Sequence, residues 1–396
     1  GGTLFNHYTL SMRKHKNLIL FIALVLFRSV FVSMLKFFLR SYLKDMNISL
    51  EEIVGYISLG CMLSYFIGGS IAYFFRKKHI LIAATLITIF CVILGHALGY
   101  YPFWVFVVII STIGLMYGLW NIIKSVILAI EIQKSQFTET TINGVANVAL
   151  LSGIVLGSYL GFTIYGLWGG NGFRVLVSIL VASLIMTLFL GYEKQFAKHD
   201  LHETLHLAIP SIFGIIKKYI RLLVPIGVLR AISTAMGQKM LEIGIDVFNK
   251  VPKSSIIIII ISMVGAIVGN ILAIFFKKNK KRIAIIFTII LGLSTIYFPN
   301  IINKYDYYIT LNICSFLMGI FFGIAVNLLE GRFFYHIGEE QKKEYGSAAY
   351  GIATNIIIFF IMIMSDILTK HSGMIVPFVF SGIILFLMPF FIRKFK

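Results

Sequence analysis

The feature that most constrains this chain is its succession of long apolar runs. A helix needs about 20 residues, at about 1.5 Å each, to cross the hydrocarbon core of a bilayer. Twelve such runs can be read, at roughly 18–42, 53–75, 80–100, 103–131, 144–167, 173–192, 219–247, 255–276, 283–299, 308–334, 347–369 and 374–392. Polar residues gather in short stubs between them. With 59% hydrophobic and only 13% charged residues, the chain could not cover a soluble surface, and a mean hydropathy of +0.92 fits a surface that faces lipid. An all-α membrane protein with twelve transmembrane helices is expected.

The net charge of +19 does not point to nucleic acid, because the basic residues sit in loops rather than on one face of a soluble domain. Cys61, Cys91 and Cys314 each lie inside an apolar run, as small buried hydrophobes do, and no CxxC pair occurs. The basic stubs at Arg13, Lys14 and Lys16, at Arg76-Lys77-Lys78, from Lys277 to Arg282, and at Arg393, Lys394 and Lys396 fall on one side of a twelve-span chain. The positive-inside rule then places both termini in the cytoplasm of a multi-pass protein of the inner (plasma) membrane. The longest polar stretch divides the chain. The expected order is a cytoplasmic tail (1–17), a six-helix bundle (18–192), a cytoplasmic linker with an amphipathic helix (193–218), a second bundle (219–392) and a C-terminal tail (393–396).

The halves carry matching landmarks. GSIAYFFRKK from Gly69 matches GNILAIFFKK from Gly269, an offset of 200 (269 − 69). Arg28 with Met34 matches Arg230 with Met236 at 202 (230 − 28), and Gly118 and Asn121 match Gly323 and Asn327 at 205 and 206 (323 − 118, 327 − 121). Parallel six-helix repeats are one way to build a transporter. Gly69-Ser70-Ile71-Ala72 with Arg76-Lys77-Lys78 and Leu81 resembles the loop between helices two and three of the major facilitator superfamily, with Tyr73 in place of the family's acidic residue. Gly153, Gly157 and Gly161 resemble that family's glycine-rich fifth helix, where small-xxx-small spacing lets helices approach closely. Phe173-Arg174 resembles the start of its sixth. The resemblance implies two pseudo-symmetric six-helix bundles, gating contacts at Gly69, Arg76, Lys77 and Gly269, and helices one and seven facing a common cavity.

The candidate ligands lie on polar stripes. Arg28, Ser29, Ser33, Lys36 and Arg40 share the first helix; Arg230, Thr234, Gln238 and Glu242 recur every four residues on the seventh. An arginine at the centre of a spanning helix costs roughly 2.5–3.5 kcal/mol on insertion scales, so two at repeat-related positions call for a reason. One reason is a cationic site suited to carboxylate or phosphate. The alternative is pairing with a buried carboxylate, from among Glu131, Glu242, Asp246, Glu330 and Asp366. Tyr117, Asn121 and Lys124 on the fourth helix and Asn327 with Glu330 on the tenth complete the candidate set, with Glu242 and Glu330 as possible proton carriers. The two arginines, Asn143 to Val148, and Trp120 with Lys124 resemble the organophosphate:phosphate antiporters; Asn143-Gly144 with Leu156-Gly157-Ser158 and Gly161 also resembles bacterial lysophospholipid transporters.

His202-Glu203-Thr204-Leu205-His206 matches the HExxH pattern of zinc proteases but falls in the linker, with no third ligand in view. No phosphate loop is present, which speaks against ATP-driven transport. The expectation is a non-enzymatic secondary antiporter, acting as a monomer without a cofactor or bound metal. Its solute is small and anionic, phosphorylated or carboxylated, and moves by alternating access. Membrane lipid surrounds it, protons or phosphate are the candidate coupling ions, and nucleic acid is not a partner. The alternatives are a lysophospholipid transporter of the same superfamily and, remotely, a membrane metalloprotease at the HETLH run.

Overall fold

The computed structural model describes residues 2–43, 48, 50–191, 201–248, 252–302, 307–340 and 343–394; the side chains of 2–15, 50–52, 162, 201–207, 238, 241–248, 252–256, 301–302 and 307–308 fall outside that description. Among the described residues there are twelve α-helices. They are α1 (Gly2–Tyr42), α2 (Leu50–Phe74), α3 (Lys77–Leu98), α4 (Phe103–Lys134), α5 (Glu139–Trp168), α6 (Phe173–Phe189), α7 (Leu201–Phe248), α8 (Pro252–Ile274), α9 (Lys280–Ile302), α10 (Tyr307–Glu339), α11 (Lys343–Ser372) and α12 (Val376–Lys394). A 3-10 turn, Gly169–Gly172, joins α5 to α6. Among the described residues ten stretches are fit to cross a membrane by length and composition alone; one covers both α5 and α6, and α7 is not among them. Two helices reach beyond the expected spans. α1 takes in most of the tail, and α7 absorbs the linker from Leu201, so the amphipathic run continues directly into the seventh span.

The helices meet lipid and one another by different residues. Phe90, Trp104, Leu167, Phe275 and Phe390 are all more than 60% exposed, as apolar side chains facing hydrocarbon should be. Hydroxyls that would be orphaned in the interior turn back onto their own helix: Thr85, Thr88, Thr187, Thr288 and Thr295 each donate to the carbonyl four residues earlier.

The chain forms two compact units, residues 1–131 with 152–210, and residues 132–151 with 211–396. The break at Pro210 falls inside the expected linker. The transfer of the α4–α5 connection to the second unit is not foreseen by the sequence. In the first unit, α1 and α3 pack on α6. α5 lies so close to α1 that a Cβ on Gly153 would come 2.6 Å from the Ser29 Cβ, and one on Gly161 would come 2.7 Å from the Met34 carbonyl oxygen. The glycine spacing thus has the role read from it. In the second unit, α10 packs on α8 and α9, and α12 on α9.

Close helix crossings reveal the repeat. Gly60 faces the α4 backbone, while Gly114 and Gly118 face α2; Gly265 faces the α10 backbone, while Gly319 and Gly323 face α8. All three offsets are 205 (265 − 60, 319 − 114, 323 − 118). At this offset Gly269, set against the Ile320 carbonyl, is the packing counterpart of Ser64 rather than of Gly69. The two matched runs are aligned by helix ends instead, α2 stopping at Phe74 and α8 at Ile274.

Candidate functional site

Each unit carries one arginine in the middle of an apolar helix, and the two have different surroundings. In the first unit Arg28 on α1 is only 3% exposed. Its Nη2 donates to the Thr85 hydroxyl on α3, whose own proton goes to the Leu81 carbonyl. Its Nε has no partner, and among the described residues no carboxylate approaches it. Tyr117 on α4 lies within its electrostatic reach. Two turns along, at a separation that places it on the same face of α1, Lys36 is half-buried near Cys61, which itself hydrogen-bonds the Gly114 carbonyl. On α4, Tyr117 stacks on Trp120 at 5.8 Å, and Lys124 sets its ammonium 5.5 Å from the Trp120 ring. Asn121 is half-buried beside them. Of the expected α1 and α4 stripes, Arg28 and Tyr117 are thus within electrostatic reach of each other in the first unit.

In the second unit Arg230 on α7 is answered. Its Nε sits 2.5 Å from Glu330 Oε1 on α10, the pairing weighed above as the alternative to a free cationic site. Glu330, 1% exposed, also accepts from the Tyr350 hydroxyl at 2.5 Å and from Asn147 Nδ2 at 3.1 Å. A dry carboxylate survives only with such company, since burying an unpaired charge costs several kcal/mol. Tyr350 on α11 and Thr85 on α3 were not singled out by sequence, because nothing within one helix marks a lone hydroxyl as a partner for a charge on another. The free-ligand expectation is thus corrected for Arg230: its counter-ion is already present in the protein.

Asn327 needs a similar correction. It is fully buried; its Oδ1 accepts from Asn143 at 3.0 Å and its Nδ2 donates to the Asn270 carbonyl at 3.1 Å. That amide joins α5, α8 and α10, a packing role rather than a solute ligand's. The first turns of α5 are held by more of the same: Lys280 meets Glu139 at 2.6 Å, and Gln133, at the end of α4, donates to the Tyr335 carbonyl at 2.8 Å. Gly69 is buried on α2, Arg76 occupies the N-cap position of α3 without capping it through its side chain, and Lys77 opens that helix. The side chains of Gln238 and Glu242 lie outside the described residues, as do those of His202, Glu203 and His206 in the HExxH run. Among the described residues no group of three His, Cys, Asp or Glu side chains could hold a metal.

No family model matches the chain, and no curated protein matches it in sequence. Solved structures do match. The chain is similar to a variant of the fucose:proton symporter FucP of E. coli (11% identity, 95% of this chain and 97% of that one, TM-score 0.72). It is similar to the human organic anion transporter MFSD10 (12%, 96% and 99%, 0.75) and to the proton:xylose symporter XylE bound to 6-bromo-6-deoxy-D-glucose (14%, 96% and 96%, 0.69). FucP is described as a Major Facilitator Superfamily transporter. At such identities the likeness is one of architecture, and the architecture is the major facilitator fold.

Proposed function

We propose that this chain is a secondary transporter that moves a small anionic solute by alternating access, with Arg28 as its principal anion ligand. The observation that carries this reading is the state of Arg28: a guanidinium 3% exposed, with an unpartnered Nε and no carboxylate against it among the described residues. Arg230, matched to Arg28 in sequence at an offset of 202, shows what a mid-helix arginine does when the protein itself supplies the counter-ion. A phosphate or carboxylate arriving at Arg28 supplies the missing charge, and a planar guanidinium binds either through two N–H donors. Lys36 and Lys124 add positive charge to the same unit, while Tyr117 and Asn121 offer hydrogen bonds. One structural neighbour, MFSD10, is named as an organic anion transporter, which agrees with this reading.

Arg230 and Glu330 supply the coupling. When the transport cycle parts Glu330 from Arg230, the freed carboxylate takes a proton, so solute and proton move in register. The experiment is counterflow in proteoliposomes with glycerol phosphate, sugar phosphates, dicarboxylates and lysophospholipid, and with fucose and xylose as neutral solutes. Phosphorylated or carboxylated solutes should be exchanged and the neutral sugars should not. Arg28→Gln should abolish exchange in protein that inserts normally, and Glu330→Gln should remove the pH dependence of uptake. Exchange of neutral sugars alone, or wild-type rates in Arg28→Gln, would overturn the proposal.

A further inference from the structure

Both α1 and α7 carry cations that are buried wholly or in part, and the two helices meet them differently. On α7, Arg230 has Glu330 at 2.5 Å. Lys239, 6% exposed, has Asp366 of α11 within electrostatic reach, a carboxylate that also pairs with Lys370 at 2.8 Å. The second unit thus supplies carboxylates for both of these cations.

On α1 the neighbours are neutral. Arg28 donates to the Thr85 hydroxyl, whose own proton goes to the Leu81 carbonyl, and its Nε has no partner. Lys36, half-buried two turns on, lies within electrostatic reach of the Cys61 thiol. That thiol donates to the Gly114 carbonyl at 3.1 Å, so it keeps its proton and brings no charge to Lys36. Among the described residues no carboxylate stands against either cation. Arg40, half-buried four residues beyond Lys36, adds a like charge rather than an answering one. The two cations also draw toward one stretch of α4. Arg28 and Lys36 are eight residues apart on α1, about 12 Å along its axis. The α4 groups they approach, Tyr117 and the thiol-bound carbonyl of Gly114, are three residues apart, about 4.5 Å.

We infer that the solute is a dianion, with one negative charge taken by Arg28 and the second by Lys36. The inference rests on the reading of Arg28 as an anion ligand and narrows it. A monoanion answers one interior cation and leaves the other uncompensated, which is costly away from water. A phosphate monoester carries both charges on one head at neutral pH, and a dicarboxylate carries them on two groups. The shared chemistry is the double charge.

The test is calorimetric titration of the full-length protein at about pH 8, where a phosphate monoester, with a second pKa of about 6, is dianionic. Each probe is paired with its own monoanion: glycerol phosphate with its methyl ester, and succinate with its monomethyl ester. In wild type the dianion of at least one pair should bind about tenfold or more tightly than its ester, the factor that one further charge-assisted hydrogen bond gives. A preference in the phosphate pair puts both charges on one head; a preference in the succinate pair puts them on two groups. Lys36→Gln should cut the ratio to about threefold or less, and Lys36→Arg should keep it near the wild-type value. Esters that bind wild type as tightly as their dianions would overturn the inference, a result that needs no variant to fold. So would a ratio that survives Lys36→Gln. Arg28→Gln separates this from the reading beneath it. If Arg28→Gln weakens both members of a pair while Lys36→Gln leaves their ratio intact, the anion site stands and the dianion assignment falls. If wild type binds none of the four probes, or Arg28→Gln binds them as wild type does, the anion site itself falls and the dianion with it.

Discussion

Removing the charge of Glu330 should cost the second unit more stability than its small change in shape implies. In Glu330→Gln the side chain keeps its volume and can still accept from Tyr350 and donate or accept at Asn147, but Arg230 loses its counter-ion at 2.5 Å. Breaking a buried pair from one side costs about 3–5 kcal/mol. The Arg230 side chain keeps 29% exposure while Glu330 has 1%, so water relieves part of the arginine's loss and the lower end, about 3 kcal/mol, applies. Arg230→Gln strands the drier partner and belongs nearer 5 kcal/mol on the same scale. At about 2–4 °C per kcal/mol for a unit of this size, Glu330→Gln should melt about 6–12 °C below wild type. In the double variant two neutral amides face each other, and much of the loss should return, leaving a coupling energy of about 2 kcal/mol or more. The assay is thermal unfolding of the four purified proteins in one detergent. Additive losses, with the double variant at the sum of the singles, would refute the claim that the pair is coupled and desolvated.

Further outcomes follow from other contacts. Gly157→Leu should prevent α5 from seating on α1, where the Val30 and Met34 backbones and the Ser33 Cβ leave no room for a side chain, and insertion assays should show loss of folded protein. Asn327→Ala leaves Asn143 and the Asn270 carbonyl without their buried partner and should cost about 1–3 kcal/mol by thermal melting, with the substrate KM of the surviving protein unchanged. Outside the spanning segments, burial alone would raise the Glu340 carboxyl, yet hydrogen bonds from Lys218 and Tyr219 hold it below its ordinary 4.5. A depressed carboxyl contributes stability that is present at neutral pH and is lost as the pH falls below that value. Lys218 is 59% exposed, so the contribution is under about 1 kcal/mol, and Glu340→Gln should flatten only the acid limb of the melting-temperature profile.

How much of this could be read from the chain depends on whether the information lies along one helix or between helices. Twelve helices and the glycine spacing of α5 are properties of single segments, and among the described residues both appear in the structure, although the seventh helix is not apolar enough to stand out as a span. The repeat was legible too, although its packing register of 205 emerges only from which glycine meets which backbone. Periodicity states which residues share a face but not which helix that face meets. Hence Arg28 and Arg230 looked equivalent, although one finds Thr85 and the other Glu330 with Tyr350. For the same reason Asn327 read as a solute ligand, although its amide joins three helices. The continuity of α7 through the linker was hidden because a polar, charged stretch signals a break in the membrane without signalling a break in the helix.

The central claim is that a buried guanidinium with no carboxylate against it among the described residues makes the first unit an anion site. Its most direct test is calorimetric titration of the best-exchanged phosphorylated or carboxylated solute into wild-type protein and Arg28→Gln. A charge-assisted hydrogen bond contributes about 1.5–3 kcal/mol, so affinity should fall by roughly tenfold or more in Arg28→Gln. Arg28→Lys should keep part of the binding. An affinity for the anion that is the same in wild type and Arg28→Gln, or matched by an uncharged analogue of the same solute, would contradict the account.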